Sequence, residues 1–254
     1  MRTLGIIPAR AGSKRLPHKN VLPLAGKPLV SWVIEAARKA RSLDRLVVSS
    51  DDVEVLKLAA AFDGGLPLAR PAELATDTSP AVDYVKHALD WLESEREGPF
   101  DVIAILQPSS PLTRPEDIDG TVQLLRDTEA DTAVSVVKLD HAIHPLKLKV
   151  LEGDRLLPYL EEEHGLMAAH ELSPLYVRNG AVYATRRQVI EEGQIIGRDC
   201  RGYVMPRDRS IDINDRLDYE FACYLVASTE SDVTTFELAE ERLGRYNLLG
   251  TDFF

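Results

Sequence analysis

Four cations, Arg10, Lys14, Arg15 and Lys19, crowd into one short stretch near the N-terminus. Small residues separate them: Ala9, Ala11, Gly12 and Ser13. Small residues let backbone N–H groups approach an anion, and Lys and Arg supply its countercharge, so the chemistry on offer is phosphate binding. The pattern is neither GxxxxGK[ST] nor GxGxxG, which removes the P-loop and the dinucleotide fingerprint. A basic surface loop after an edge strand is the plainer reading. The chain as a whole carries a net charge of −11, however, and such a local inversion of sign points to a polyanionic ligand.

Elements on either side must hold this loop. The apolar run Leu4 to Ile7 ends at Pro8, and apolar residues then recur at helical spacing over residues 29–40. Strand, small basic loop and helix place an anion at the carboxyl end of a strand. The alternation continues. Strands are expected over 44–51, 66–68, 101–106 and 132–139, with helices over 53–62, 80–94 and 115–127. Gly64-Gly65 closes the second helix, and Pro115 suits a first helical turn. The core resumes over 175–183, with a helix over 186–192, a strand over 203–205 and a last core helix over 216–227. This order predicts an α/β fold with a mostly parallel twisted sheet flanked by helices. Residues 140–174 break the rhythm with hairpin-like pieces and an acidic run, Glu161-Glu162-Glu163, and read as an insertion outside the sheet that makes a subunit contact.

Composition sets outer limits. With 254 residues, 44% apolar and 28% charged, the chain can bury a substantial core. The acidic balance argues against a broad nucleic-acid surface. No apolar run reaches the roughly 18 residues that span a membrane, and the N-terminus lacks signal-peptide architecture. Cys200 and Cys223 show no metal or redox spacing and read as free thiols. A cytoplasmic protein is expected.

If the strands are right, the polar loops that follow them converge on one crevice: residues 10–20, 49–52, 107–113 and 212–215. Its basic side suits nucleotide phosphates, and its acidic side suits Mg²⁺ or Mn²⁺. Asp212 is the metal candidate. Asn214 shares its face in an extended segment and is the weaker second ligand, whereas Asp215 fits a helix N-cap. Gln107, Ser109 and Ser110 have no glycine elbow and read as hydrogen-bonding partners of a hydroxyl-rich ligand. Arg178-Asn179-Gly180 is either a β-turn or a functional loop. His141, His144, His164 and His170 are irregularly spaced without cysteine, which favours surface or interface roles over zinc. The apolar positions Phe236, Leu238, Leu243, Phe253 and Phe254 are expected to pack on the body or on a neighbour.

Taken together, these segments resemble the acylneuraminate cytidylyltransferases, which make CMP-sialic acid and related CMP-activated acidic sugars. The resemblance covers roughly residues 3–227 and rests on motifs in the family's order. They are Ile7-Pro8-Ala9-Arg10 with Gly12-Ser13-Lys14 and Lys19-Asn20, Arg70-Pro71-Ala72-Glu73-Leu74, Gln107-Pro108-Ser109-Ser110-Pro111-Leu112, His144-Pro145-Leu146-Lys147, Asn179-Gly180-Ala181-Val182-Tyr183 and Ser210-Ile211-Asp212-Ile213.

The resemblance implies a Rossmann-like nucleotidyltransferase domain over 1–230, with 140–174 as an inserted dimerisation segment and 231–254 as a C-terminal extension. It implies CTP and an acidic keto-sugar as substrates, and a homodimer. Ala9, Arg10, Gly12, Ser13, Lys14, Lys19 and Asn20 would hold the CTP phosphates and nearby groups. Arg70 and the 75–80 loop, with Ala75 and Ser79, would take cytosine and ribose. Gln107, Ser109, Ser110, Asn179 and Tyr183 would face the sugar, joined by Lys147 from the partner subunit. Arg10, Lys14, Lys19 and Asp212 would carry the chemistry. The chain departs from the family where a second aspartate is common and it has Asn214, and where aromatic residues are typical and it has Ile195-Ile196-Gly197. Legionaminate-, pseudaminate- and other octulosonate-like acids are therefore open. Other nucleotidyltransferases, such as molybdenum-cofactor or sugar-1-phosphate types, and a non-catalytic nucleotide-sugar-binding protein, are the alternatives.

Overall fold

Apolar alternation in the central strands sorts side chains onto two sheet faces, and each face has its own helices. The computed structural model describes residues 1–160 and 172–230. His164, His170, the 161–163 acidic run and the apolar stretch beyond residue 230 lie outside the described residues.

In chain order the strands are β1 Thr3–Pro8, β2 Pro23–Leu24, β3 Lys27–Pro28, β4 Arg45–Ser50, β5 Gly65–Ala69, β6 Val102–Leu106, β7 Thr132–Lys138, β8 Lys149–Glu152, β9 Arg155–Pro158, β10 Tyr176–Arg186 and β11 Cys200–Val204. The helices are α1 Leu29–Lys39, α2 Val53–Ala61, α3 Ala81–Ser94, α4 Pro115–Arg126, α5 Arg187–Glu191 and α6 Arg216–Glu230. Seven strands form one sheet in the order β11-β7-β10-β6-β1-β4-β5. All run the same way except β10, which is antiparallel to both β6 and β7. The mostly parallel sheet expected from the sequence is present, with β10 as its single reversed strand.

Period-two alternation is visible within β1. Leu4 and Ile6 pack with Val82, Val85, Leu89 and Leu92 of α3, whereas Ile7 packs with Val30, Val33 and Ile34 of α1 and with Ile118 and Val122 of α4. β6 is buried along its whole length, as a central strand covered on both faces should be. A third cluster joins Ala222 and Val226 of α6 to Leu24 and Leu29, with Ile213 at its centre. That packing brings the segment before α6 against the start of α1.

Two sequence expectations change. Asn179-Gly180 is neither a turn nor a loop but an irregularity inside β10, where the register against β7 shifts between Arg178 and Tyr183. Gly180 takes φ +81°, a left-handed conformation in which glycine carries no Cβ penalty. His144, expected in a surface or interface role, is buried within its own chain, and its Nδ1 accepts a hydrogen bond from the Leu146 N–H (3.3 Å) at the start of a 3₁₀ turn. His141 is exposed beside Asp140. The expected hairpin is present as β8 and β9, which pair with each other and not with the main sheet.

Asp117, fully buried at the start of α4, accepts from the Arg114 N–H (2.9 Å) and from both Nε (3.2 Å) and Nη2 (2.6 Å) of Arg209. Breaking a buried pair leaves the other charge uncompensated. Asp117→Ala is therefore expected to lose about 3 kcal/mol of stability, measured by urea denaturation. Arg216→Ala, which breaks only an exposed pair with Glu220, should leave the urea midpoint in place.

Candidate active site

Pro8 ends β1, and the chain that follows is fastened to β4 rather than left free. The Ala9 N–H donates to the Ser49 carbonyl (3.0 Å), the Ser50 hydroxyl donates to the Ala9 carbonyl, and the Ala11 N–H donates to Asp51 Oδ1 (2.8 Å). Further along, Asn20 is buried and donates from Nδ2 to the Arg10 carbonyl (2.9 Å), folding the loop back on itself. Lys19 Nζ donates to the Ile213 carbonyl (2.7 Å), and Arg15 Nη2 donates to Asn214 Oδ1 (2.9 Å). The Ile213 N–H in turn donates to the Ser109 carbonyl (2.8 Å). All four predicted loops thus meet through main-chain and side-chain hydrogen bonds.

Between them lies a cavity of about 410 Å³ lined by Arg10, Ser13, Lys14, Lys19 and Asn20 on one wall and by Gln107, Ser109 and Asn214 on the other. A second cavity of about 410 Å³ adjoins it, bounded by Gly12, Pro17 and His18 and by the loop residues Ala75 and Thr76. Burial lowers the Lys19 ammonium pKa below its usual value, as do Arg15 and Arg10, while Asp212 pulls the other way. A cation already short of solvent gains more than an exposed one from an incoming anion.

Asp212 is half-buried and accepts from Asn214 Nδ2 at Oδ2 (2.8 Å), so Asn214 turns its N–H rather than its oxygen toward the carboxylate. A Cβ on Gly180 would stand 3.7 Å from the Asp212 carboxylate. Asp215 caps α6: its Oδ1 accepts from the Asp218 N–H (3.1 Å), while Asp218 Oδ2 accepts from the Asp215 N–H (3.2 Å).

Other predicted residues stand apart from these cavities. Asn179 is buried with its amide engaged, Oδ1 accepting from Ser135 Oγ (2.6 Å) and Nδ2 donating to Ser210 Oγ (2.9 Å). Arg70 is buried, donates from Nε and Nη2 to Ser49 (3.0 and 2.8 Å), and lies 4.5 Å over the Tyr84 ring. Ser79 closes its own loop, its hydroxyl donating to the Glu73 carbonyl (2.7 Å). Ser110, within the 107–113 loop, is fully buried. Tyr183 is half-buried, which raises its phenol pKa, and it feels the charges of Arg178 and Asp212. Lys147 sits in the 3₁₀ turn that His144 caps, outside both cavities.

Asp77 is expected only as part of the 75–80 loop, with no role of its own. Its carboxylate bridges Arg10 Nη1 (2.8 Å) and Lys14 Nζ, and these hydrogen bonds hold its pKa below the usual range. In sequence it sits among Thr76, Thr78 and Ser79 and reads as turn material. Arg15, visible as a cation, had no assigned contact.

A family model described as cytidylyltransferase matches residues 4–201. The chain belongs to the cytidylyltransferase family. It is therefore a nucleotidyltransferase, and the convergent loops are its candidate active site. This cytidylyltransferase is 33% identical over 228 residues to the CMP-N,N'-diacetyllegionaminic acid synthase of Legionella pneumophila, covering 86% of this chain and 94% of that protein. It is 29% identical to a pseudaminic acid cytidylyltransferase of Campylobacter jejuni, covering 87% of this chain and 95% of that one. Against the N-acylneuraminate cytidylyltransferase of Escherichia coli the identity is 31% over 87% of this chain, which spans about half (52%) of that relative. A solved CMP:2-keto-3-deoxy-manno-octonic acid synthetase complexed with CTP superposes with a TM-score of 0.66 at 22% identity, over 90% of this chain and all of that one, and shares the fold.

Gly180 offers a local test. Replacing it with alanine forces a Cβ into the left-handed region, at a cost of about 1–2 kcal/mol. Gly180→Ala is expected to lower the denaturation midpoint accordingly. Turnover is expected to fall further than the stability loss accounts for, because β10 carries the new Cβ toward Asp212; steady-state kinetics measured well below the melting temperature separate the two effects.

Proposed function

We propose that this cytidylyltransferase couples CTP to an acidic 3-deoxy keto-sugar of the nonulosonate class, giving the CMP-sugar and pyrophosphate. The observation that carries this reading is the two-sided cleft. A cationic loop faces the Gln107–Ser109 wall, and the Asp212 segment is tied to both. The relatives named for legionaminate, pseudaminate and acylneuraminate support the sugar class.

In this reading the anomeric hydroxyl oxygen bonds to the α-phosphorus as the bond from that phosphorus to the bridging oxygen breaks. Pyrophosphate leaves with that oxygen, and the hydroxyl proton passes to solvent. Such a transfer needs little covalent participation by the protein, so positioning and charge stabilisation carry most of the rate. Arg10, Lys14 and Lys19 stabilise negative charge on the departing pyrophosphate, while Gln107 and Ser109 offer hydrogen bonds to the sugar.

Asp212 is the carboxylate that would hold Mg²⁺ or Mn²⁺. No group of three or more metal-ligating side chains gathers among the described residues. One carboxylate plus substrate phosphates nevertheless fits the way Mg²⁺ is commonly bound. When bound, the ion would neutralise phosphate charge and acidify the attacking hydroxyl. Asn214 joins it only if its amide turns over.

The reading also includes a homodimer working in the cytoplasm. Leu151 and Leu156 on the β8–β9 hairpin are each 66% exposed, and Leu148 and Val150 are exposed beside them. An apolar surface of this kind suits a second copy of the chain. Lys147, at the base of the hairpin, then enters the partner's cleft.

Three measurements test this reading. Pyrophosphate release should require CTP, a divalent ion and one acid from a panel of legionaminate, pseudaminate, N-acetylneuraminate and octulosonate; silence with every acid would overturn it. Lys19→Ala should lower turnover by about 10²–10³, the effect of removing one contact to developing charge. Lys19→Ala and Lys147→Ala variants, each inactive, should recover roughly a quarter of wild-type activity when mixed and allowed to exchange subunits, because half the dimers are hybrids with one intact site. No recovery would place Lys147 in its own subunit's site or outside catalysis.

A further inference from the structure

The two cavities of the cleft share one wall. Arg10, Ser13, Lys14 and Asp77 line both. The wall is closed by a carboxylate: Asp77 reaches across from the loop after Leu74 and pairs with Arg10 (2.8 Å) and Lys14 at once. The loop that carries it is braced internally, with the Thr76 hydroxyl against Ser79 Oγ (2.6 Å) and the Ser79 hydroxyl on the Glu73 carbonyl. Asp77 is thus held out toward the cations, and among the described residues its carboxylate pairs with these two alone.

We propose that Asp77 is a displaceable internal anion, a selectivity residue that occupies the phosphate-binding cations until a polyphosphate replaces it. This rests on the cytidylyltransferase reading of the cleft. Two consequences follow from charge. A ligand entering between Arg10 and Lys14 competes with a tethered carboxylate, so a di- or triphosphate with several negative charges displaces it while a single phosphate does so poorly. Displacement also removes the bar between the cavities and makes one continuous cleft, with the Gln107 wall at one end and the Ala75–Thr76 loop at the other. After pyrophosphate departs, the phosphate of the CMP-sugar is a diester with a single negative charge and cannot hold both cations against Asp77. Re-formation of the pair then favours product release.

Both ion pairs are partly solvated, with Asp77 41% and Lys14 80% exposed, so each is weak and easily exchanged. That is what a reversible bar requires. A tightly buried pair there would block the substrate.

The test is calorimetric titration of wild type, Asp77→Asn and Asp77→Glu with inorganic pyrophosphate, inorganic phosphate, CTP and CMP. Thermal melts first establish that all three proteins fold. For Asp77→Asn, pyrophosphate and CTP should bind about three- to tenfold tighter, the range expected from two exposed charge pairs. CMP should gain at least as much, so that CMP inhibits Asp77→Asn turnover more strongly. Asp77→Glu, which keeps the charge, should stay near wild type. Pyrophosphate binding that is unchanged or weaker in Asp77→Asn overturns the proposal, because the carboxylate would then be positioning the cations rather than competing for them. Should wild type bind pyrophosphate but not CTP, the functional reading fails while the role of Asp77 at an anion site is still decided by the Asn variant.

Discussion

Asn179 has a buried amide whose partners come from three separate stretches of chain: Ser135 on β7, Met205 just past β11, and Ser210 on the approach to Asp212. A buried amide left unpaired costs about 1–3 kcal/mol, so this contact is strongly enforced. It locks the shifted register of β10, and Ser135 Oγ also accepts the Val182 N–H (2.8 Å) where the ladder is disrupted. From that fixed point the chain to Asp212 is led back across the sheet by Arg209 on Asp117 and by the Ile213 N–H on Ser109. Lys19 and Arg15 close on this segment last. Take away the amide, and the wall facing the basic loop loses its anchor.

The dependence explains why one reversed strand sits in an otherwise parallel sheet. The carboxyl ends of β1 and β6 open on the cleft, and the turn after β4 is tied to the same loop by Asp51 on the Ala11 N–H, as ligand loops in open sheets do. β10 enters from that side, so its beginning, not its end, lies beside the loops. Its irregularity at Asn179-Gly180 therefore falls level with Asp212. A parallel strand in the same position would present a following loop there. The reversed one presents backbone held on both edges, which is stiffer.

Much of this was legible in the sequence because it is local. Small residues and cations after Pro8, an apolar run ending at Gln107, and Asp215 ahead of a helix are each read within a few positions. Strand direction was not legible for β10. An apolar run records that a strand is buried but not which way it runs, and its pairing with β6 and β7 is settled across many intervening residues. The same holds for side chains. The hydrogen bonds that fix Asn179 and Arg70 were not legible, because their partners, Ser210 and Ser49, are remote in sequence. Asp77 was hidden for the converse reason, because its turn-forming neighbours give it a sufficient local explanation.

The cations of the cleft belong to a body of formal charge −11, and both proposed substrates are anions. At distances beyond about 8 Å, physiological salt screens the repulsion between them and that body. Inside that radius Arg10, Lys14, Arg15 and Lys19 set the local potential. Approach to the protein is thus neutral to faintly repulsive over most of its surface, and attraction begins only at the mouth of the cleft. Encounter is slow in such a field compared with a broadly basic protein, but few encounters are wasted: nucleic acids and other polyanions too large for the opening meet only the acidic exterior.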